Sequence, residues 1–267
     1  MSPEKITPEV IRRRKTLGEK ITALTAYDYP TALCLNEAGI DMILVGDSLG
    51  MVVLGYPNTL RVTMENMLEH CRAVARGNST ALLVGDMPFL SCTTSVPDAV
   101  RNAGRMIQEG EMEAVKVEGG SDMAVTITAV VRAGIPVLGH IGFTPQQSLK
   151  GGKKVQGRDR SCVERLLSDA LAVEQAGAFA IVLECLTVSC AGAITEKLTI
   201  PTVGIGSGPC CDGQILVSSD MLGLYEAASF KHVKEYANLA TIMKNAFGEY
   251  IREVKEGRFP GKEHTFE

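Results

Sequence analysis

A chain of 267 residues with 45% hydrophobic and 22% charged residues has the size and composition of a globular protein with one large core. Its formal net charge of −4 and its lack of tryptophan argue against a nucleic-acid surface, which needs a basic stripe and aromatic platforms. No apolar run is long enough to cross a bilayer, so the expected partner is a small molecule.

The eight cysteines (Cys34, Cys71, Cys92, Cys162, Cys185, Cys190, Cys210 and Cys211) form no Cys-x-x-Cys pair and share no ligand spacing with the four histidines, which argues against zinc. Residues 1–20 are polar and lack a signal core, so the reading is a cytoplasmic protein with reduced thiols.

In chain order, residues 8–16 follow Thr7-Pro8-Glu9, a helix start. Their Arg12-Arg13-Arg14-Lys15 run reads as a solvated helix face rather than an anion site. Residues 21–27 read as a strand ending at Asp28, and a helix over 30–38 leads through Gly39 to a second strand, 42–45, closed by Gly46-Asp47-Ser48. A short, continuously apolar run suits a parallel strand covered on both faces, with its carboxylate at the end where such sheets keep their active sites.

The unit then recurs. Helix 64–75 precedes strand 81–84 and Asp86; helix 96–109 precedes strand 114–117 and Glu118; helix 123–133 precedes strand 136–138 and His140; helix 162–176 precedes strand 179–183 and Glu184. Two further runs, 202–205 and 215–218, end at Gly206 and Asp220. Eight strands alternating with helices predict an α/β fold, a single (β/α)8 TIM barrel over residues 1–267 with an N-terminal helix and a C-terminal helical extension. A doubly wound open sheet is the alternative. Residues 221–247 read as helical, with Tyr225, Phe230, Tyr236 and Phe247 as packing residues, and 257–267 as a loop-like tail.

Strand period turns Lys116 and Glu118 toward the barrel axis, and Val115 and Val117 toward the helices. A lysine beside a carboxylate suits a structural ion pair as well as a site, but Asp47 and Asp86 at matching strand ends favour the site. Three carboxylates at one mouth repel one another unless a cation or protons neutralise them. The all-oxygen set Asp47, Asp86 and Glu118 suits Mg²⁺, although a helix N-cap explains any one of these acids, Asp47 included.

Glu184 closes an apolar strand, a setting that strips water from a carboxylate and suits it to proton abstraction; pairing with Lys116 or His140 is the alternative. His140 reads as a substrate hydrogen-bonding group or a satisfied barrel-mouth histidine. Gly204-Ile205-Gly206-Ser207-Gly208 reads as a tight turn more than an anion cradle. The long segments 49–62 and 141–160 read as lids or binding loops. Within 150–160, Lys150, Lys153, Lys154, Arg158 and Arg160 form a basic cluster that is solvated by default; the other reading has Lys153 and Lys154 attracting an anionic tail of a ligand.

Several longer strings are specific. They include Thr22-Ala23-Leu24-Thr25-Ala26-Tyr27-Asp28, Val45-Gly46-Asp47-Ser48-Leu49-Gly50-Met51, Gly85-Asp86-Met87-Pro88-Phe89 and Val115-Lys116-Val117-Glu118-Gly119-Gly120. Gly139-His140-Ile141-Gly142-Phe143-Thr144-Pro145-Gln146, Lys154-Val155-Gln156-Gly157-Arg158 and Asp212-Gly213-Gln214 continue the series. With them the sequence resembles the ketopantoate hydroxymethyltransferase family over almost its whole length.

The resemblance implies a (β/α)8 barrel that uses Mg²⁺ to transfer a hydroxymethyl group from 5,10-methylenetetrahydrofolate to 3-methyl-2-oxobutanoate, giving 2-dehydropantoate in pantothenate biosynthesis. It implies Asp47, Asp86 and Glu118 as metal ligands, Asp47, Ser48, Asp86 and Lys116 as oxo-acid contacts, and Glu184 as proton acceptor. It also implies a homo-oligomer, a homodecamer in bacterial members. The rivals are a Mg²⁺-dependent C–C lyase or mutase of the phosphoenolpyruvate-type barrels and a non-catalytic oxo-acid-binding barrel.

Overall fold

The structure, a computed structural model, describes residues 4–150, 155–225 and 230–266. Two compact units emerge, Met1–Leu216 and Val217–Glu267. In the first, the chain alternates strand and helix: α1 (Pro8–Leu17), β1 (Ile21–Thr25), α2 (Tyr29–Glu37), β2 (Met42–Val45), α3 (Leu49–Val52), α4 (Met64–Arg76), β3 (Leu82–Asp86), α5 (Val96–Gln108) and β4 (Ala114–Glu118). It continues through α6 (Ala124–Arg132), β5 (Val137–Gly142), α7 (Arg160–Gln175), β6 (Ala180–Glu184), α8 (Val188–Lys197), β7 (Thr202–Ile205) and β8 (Gly213–Leu216). The eight strands pair in sequence order, all in parallel, and β8 closes on β1 with Ile21 opposite Gly213 and Leu24 opposite Leu216. The (β/α)8 expectation holds.

Local signals start the helices. Thr7, Asp28, Ser95, Asp159 and Thr187 each accept a backbone N–H from the first turn of the helix they open, which removes an otherwise unpaired donor. Thr63 goes further: its hydroxyl accepts from Asn66 N at 3.2 Å while Asn66 Oδ1 accepts from Thr63 N at 3.1 Å, a reciprocal cap on α4. Helix α4 then buries Met67, Leu68, Cys71 and Val74, one stripe at helical spacing. Each such apolar side chain contributes about 1.5–3 kcal/mol by leaving water.

Strand alternation divides the apolar residues into two layers. Ala23, Met42, Leu44, Leu82, Val84, Ala114, Leu138, Ala180, Val182, Val203 and Ile215 form one cluster inside the barrel, whereas Ile43, Val45, Leu83, Val115, Val117, Ile181 and Leu183 join the helix side chains in the outer layer. Val115 and Val117 thus face outward as expected, and Lys116 and Glu118 share the inward parity of Ala114.

The lower end of the barrel is closed by α1, whose Ile11 is fully buried in the inner cluster with Ile21, Met42 and Phe179. Here the solvated-face reading of the basic run needs correcting. Arg12 and Arg13 are exposed, but Arg14 pairs with Asp41 at 2.7 Å and Lys15 with Asp212 at 2.9 Å. These residues lie on the turn that carries Ile11, so the helix face that plugs the barrel brings half the run with it.

Three further expectations are revised. Segment 49–62 is not a plain loop, because it holds α3 and a 3₁₀ turn at Thr59–Arg61. The last strand ends at Leu216, and Asp220 belongs to a short helix, α9 (Ser218–Met221), instead of a strand end. Residues 221–247 do not form one helix: 222–225 and 230–238 are turns and extended segments, and the helix that follows, α10, spans Leu239–Lys255. Tyr225, Tyr236 and Phe247 are 40%, 62% and 59% exposed, so they are not core residues. In the second unit Phe259 packs against Tyr250 and His264, with ring centres 5.6 and 5.1 Å away.

Candidate active site

The upper, C-terminal mouth of the barrel gathers the charged residues. Asp86 ends β3, Lys116 and Glu118 lie on β4, His140 on β5, and Glu184 ends β6. Asp47 and Ser48 follow β2 after Gly46. Asp47, Asp86, Lys116, Glu118 and His140 are all at most 6% exposed, so their charges must be answered by one another or by something bound there.

Lys116 is the hub. Its Nζ donates to Asp86 Oδ1 at 2.6 Å and reaches Glu118 Oε1 at 3.5 Å. Asp86 also accepts the backbone N–H of Asp47 at 3.2 Å, on its other oxygen. His140 lies between two acids, with Nδ1 3.4 Å from Glu118 Oε1 and Nε2 3.2 Å from Glu184 Oε2. Neither ring nitrogen has the alignment of a hydrogen bond, so both contacts are electrostatic. Of the two partners suggested for Glu184, the structure supplies His140.

The protonation states follow from burial and neighbours. Burial, with Asp86 alongside, pushes Asp47 well above the usual carboxylate range. The same burial raises Asp86 against the pull of Lys116. Burial opposes ionisation of Glu118 too, but Lys116 and His140 outweigh it and hold that carboxyl down at about 2. Burial and Lys116 disfavour a charged His140, yet Glu118 and Glu184 raise it to about 9, so the imidazolium is the form present at neutral pH.

Three predicted ligands, Asp47, Asp86 and Glu118, share this mouth as a hard-oxygen donor set. Among the described residues, however, no three His, Cys, Asp or Glu side chains are drawn into a coordination cluster; Asp86 and Glu118 turn toward Lys116. The chemistry of the set still fits a hard divalent cation: with Glu184 the mouth gathers four carboxyl groups, more than Lys116 and the His140 imidazolium can answer. The N-cap reading of Asp47-Ser48 is not realised, since α3 has no side-chain cap. Asp28, by contrast, is an exposed cap whose Oδ1 accepts from Thr31 N at 2.8 Å, and it takes no part in the site.

Two residues outside the predicted set build this mouth. Gln146, 8% exposed, donates from Nε2 to Asp47 Oδ2 at 3.0 Å and to Met87 O at 2.8 Å, and from its backbone N–H to Glu118 Oε2 at 3.2 Å. Tyr27 shares a 2.9 Å hydrogen bond with Ser48 Oγ, and its carbonyl lies 2.6 Å from His70 Nδ1. Both stand inside the motif strings, but nothing local in the sequence says that a loop glutamine reaches strand ends far away in the chain.

Gly142 packs against the end of β6 behind Glu184. Its φ of +101° is open to glycine, and a Cβ there would lie 2.2 Å from the carbonyl oxygen of Glu184. The Gly206-Ser207-Gly208 string is a turn tied into the wall, with Ser207 Oγ donating to Leu183 O at 2.7 Å and accepting from Leu186 N at 3.1 Å. In the basic segment, Lys153 and Lys154 lie outside the described residues. Arg160 pairs with Glu164 at 2.8 Å on the exposed start of α7.

Comparison with known proteins places this geometry. The sequence profile described as ketopantoate hydroxymethyltransferase matches residues 5–262. A protein of Syntrophus aciditrophicus named 3-methyl-2-oxobutanoate hydroxymethyltransferase is 54% identical over 263 residues, covering 98% of this chain and 97% of that protein. One of the same name from Enterococcus faecalis is 55% identical over 263 residues, covering 98% and 96%. Among solved structures, a phosphonopyruvate hydrolase in complex with oxalate and Mg²⁺ superposes with a TM-score of 0.61 at 17% identity, covering 97% of this chain and 93% of its own. A 2,3-dimethylmalate lyase, of the PEP mutase/isocitrate lyase superfamily, gives 0.62 at 16% identity, covering 98% and 93%; both are likenesses of fold.

Proposed function

The chain belongs to the ketopantoate hydroxymethyltransferase family and is an enzyme of the transferase class, and from that premise we propose a Mg²⁺-dependent transfer of the hydroxymethyl group from 5,10-methylenetetrahydrofolate to 3-methyl-2-oxobutanoate, giving 2-dehydropantoate for pantothenate biosynthesis. The observation that carries the proposal is the buried cluster at the mouth: Lys116 within 2.6 Å of Asp86 and 3.5 Å of Glu118, and Glu184 beside it, 3.2 Å from His140. Such a site answers a small anionic substrate with one ammonium and leaves a carboxylate over for proton transfer.

In this reading Asp47, Asp86 and Glu118 hold Mg²⁺, which when bound supplies Lewis-acid stabilisation for the negative charge that develops on the 2-oxo oxygen. Lys116 and Ser48 meet the anionic end of the oxo acid, and Tyr27 fixes the Ser48 hydroxyl through their shared hydrogen bond. Glu184 takes the proton from C3. His140 lies between Glu118 and Glu184, with its ring nitrogens 3.4 and 3.2 Å from their carboxylates, and offers a further contact to substrate oxygens. With C3 held facing the folate methylene, carbon–carbon bond formation becomes a reaction between neighbours already in place; both folate C–N bonds to that carbon break, water supplies the hydroxyl oxygen, and the two freed nitrogens take the C3 proton and the remaining proton of that water.

Among the described residues no helix is long and apolar enough to cross a membrane. The proposal extends to a cytoplasmic homo-oligomer, a homodecamer by family resemblance. Self-association is supported by α10, which exposes Met243, Phe247, Tyr250 and Val254 along one stripe.

The test is solvent-deuterium exchange at C3 of 3-methyl-2-oxobutanoate with and without Mg²⁺, followed by addition of methylenetetrahydrofolate. Exchange that requires Mg²⁺ and leads to a folate-dependent product is the expected result. Glu184→Gln should bind the oxo acid and abolish exchange; unchanged exchange removes Glu184 from the base role. Exchange without folate-dependent product would favour a lyase or mutase, and binding without exchange a non-catalytic barrel.

A further inference from the structure

We propose that Gln146 is a positioning residue of the cation site, orienting the carboxylates of Asp47 and Glu118 with a neutral amide and its own backbone N–H. The proposal rests on the Mg²⁺ reading above.

Gln146 belongs to the 3₁₀ segment Pro145–Lys150 that follows β5, and it is buried although the segment is not part of the barrel wall. Its three N–H groups reach three different strand ends. One Nε2 hydrogen meets Asp47 Oδ2 after β2, the other meets the carbonyl of Met87 after β3, and the backbone N–H meets Glu118 Oε2 at the end of β4. These are the strand ends that carry Asp47, Asp86 and Glu118.

The orientation of the amide is forced by its surroundings. Turning it over would aim Oε1 at the carboxylate oxygen of Asp47 and the carbonyl oxygen of Met87, acceptors without a proton to share. With both Nε2 hydrogens engaged, the side chain is fixed as a donor. A hydrogen bond to one oxygen of a carboxylate also fixes rotation of the group, so it sets the direction in which the second oxygen points. Gln146 does this for two acids on strands separated by β3.

Neutrality matters as much as geometry. Lys116 already pairs with Asp86 and Glu118, and a second cationic donor beside Asp47 would compete with a divalent ion for the same oxygens. An amide orients the carboxylate without opposing a cation, and it does so at every pH because it does not titrate in the working range. Gln146 therefore acts on cation affinity through Asp47 and Glu118, and touches neither the base Glu184 nor Ser48 among its hydrogen-bond partners.

The experiment compares the unaltered chain with Gln146→Met, which keeps length and volume and removes the donor, and Gln146→Glu, which puts an acceptor against two acceptors. Mg²⁺ binding is measured by titration calorimetry and Mn²⁺ binding by electron paramagnetic resonance, on the full chain without substrates. The expected result is a loss of cation affinity of about tenfold to a hundredfold in Gln146→Met and a larger one in Gln146→Glu. The kcat measured at limiting Mg²⁺ should fall with the cation affinity and recover at least part of that loss as Mg²⁺ is raised, a concentration dependence that general damage would not produce. Should Gln146→Met prove unfolded by thermal melting, Gln146→Asn, whose amide falls one methylene short, takes its place in the same titrations. Cation affinity within twofold of the parent in a folded variant, or kcat lost with affinity unchanged, overturns the assignment alone. An unaltered chain that binds no divalent cation overturns the Mg²⁺ reading and the role of Gln146 with it.

Discussion

Replacing Lys116 by methionine isolates the electrostatics of the barrel mouth. The ammonium is 4% exposed and lies 2.6 Å from Asp86 and 3.5 Å from Glu118; methionine fills its stem but leaves both acids buried without the cation. Removing one partner of a buried ion pair costs about 3–5 kcal/mol, because the remaining charge stays out of water. The pH dependence gives the sign. Asp47 and Asp86 are already raised with Lys116 in place, and without it the carboxyls rise further above their unfolded value of about 4. A folded state that holds protons more tightly than the unfolded chain is stable at low pH and loses that stability as pH rises. The deficit of Lys116→Met should therefore be small near pH 4–5 and reach its full size by about pH 8. Urea unfolding of parent and variant at pH 5 and pH 8, with and without MgCl₂, measures it. Mg²⁺ should stabilise the variant more than the parent, since it no longer meets a resident cation. Equal stability of the two proteins at pH 8, or a deficit that shrinks as pH rises, would refute the electrostatic account.

Two other outcomes follow from packing. Gly142→Ala places a Cβ 2.2 Å from Glu184 O and 2.4 Å from Leu186 Cδ1 at a φ of +101°, so strain and overpacking should cost roughly 2–4 kcal/mol. The displaced end of β6 should slow C3 exchange at least tenfold, and a variant as stable and active as the parent in parallel melts and exchange assays would show that the wall behind Glu184 is pliable. Cys71 is fully buried and its thiol is pushed up to about 12 by burial. The unfolded chain then releases this proton first, and stability should fall between about pH 9 and pH 12 at about 1.4 kcal/mol per pH unit for this group. Cys71→Ala should flatten the alkaline slope of unfolding free energy by that amount, and identical slopes would count against it.

The barrel was legible because its signals are local. A run such as Met42–Val45, apolar at every position, already implies a strand covered on both faces, and alternation along Ala114–Glu118 already places Lys116 and Glu118 on the inner side. Residues 221–247 are rich in helix formers, yet α10 begins only at Leu239, where Asn238 Oδ1 accepts from Thr241 N at 3.0 Å: the cap, not propensity along the run, marks the boundary. Elsewhere the deciding contacts are not local. The run at Arg12–Lys15 looked like a solvated face because its partners, Asp41 and Asp212, are distant in sequence.

The sequence by itself thus determined which acids and which lysine stand at the strand ends, because strand period and strand order are properties of short segments. Only the tertiary structure decided how those charges are shared: Lys116 between Asp86 and Glu118, His140 between Glu118 and Glu184, and Gln146 across to Asp47, 99 positions away in the chain. Those pairings exist only once the barrel has closed, when distances across its mouth replace distances along the chain and burial makes each unanswered charge costly.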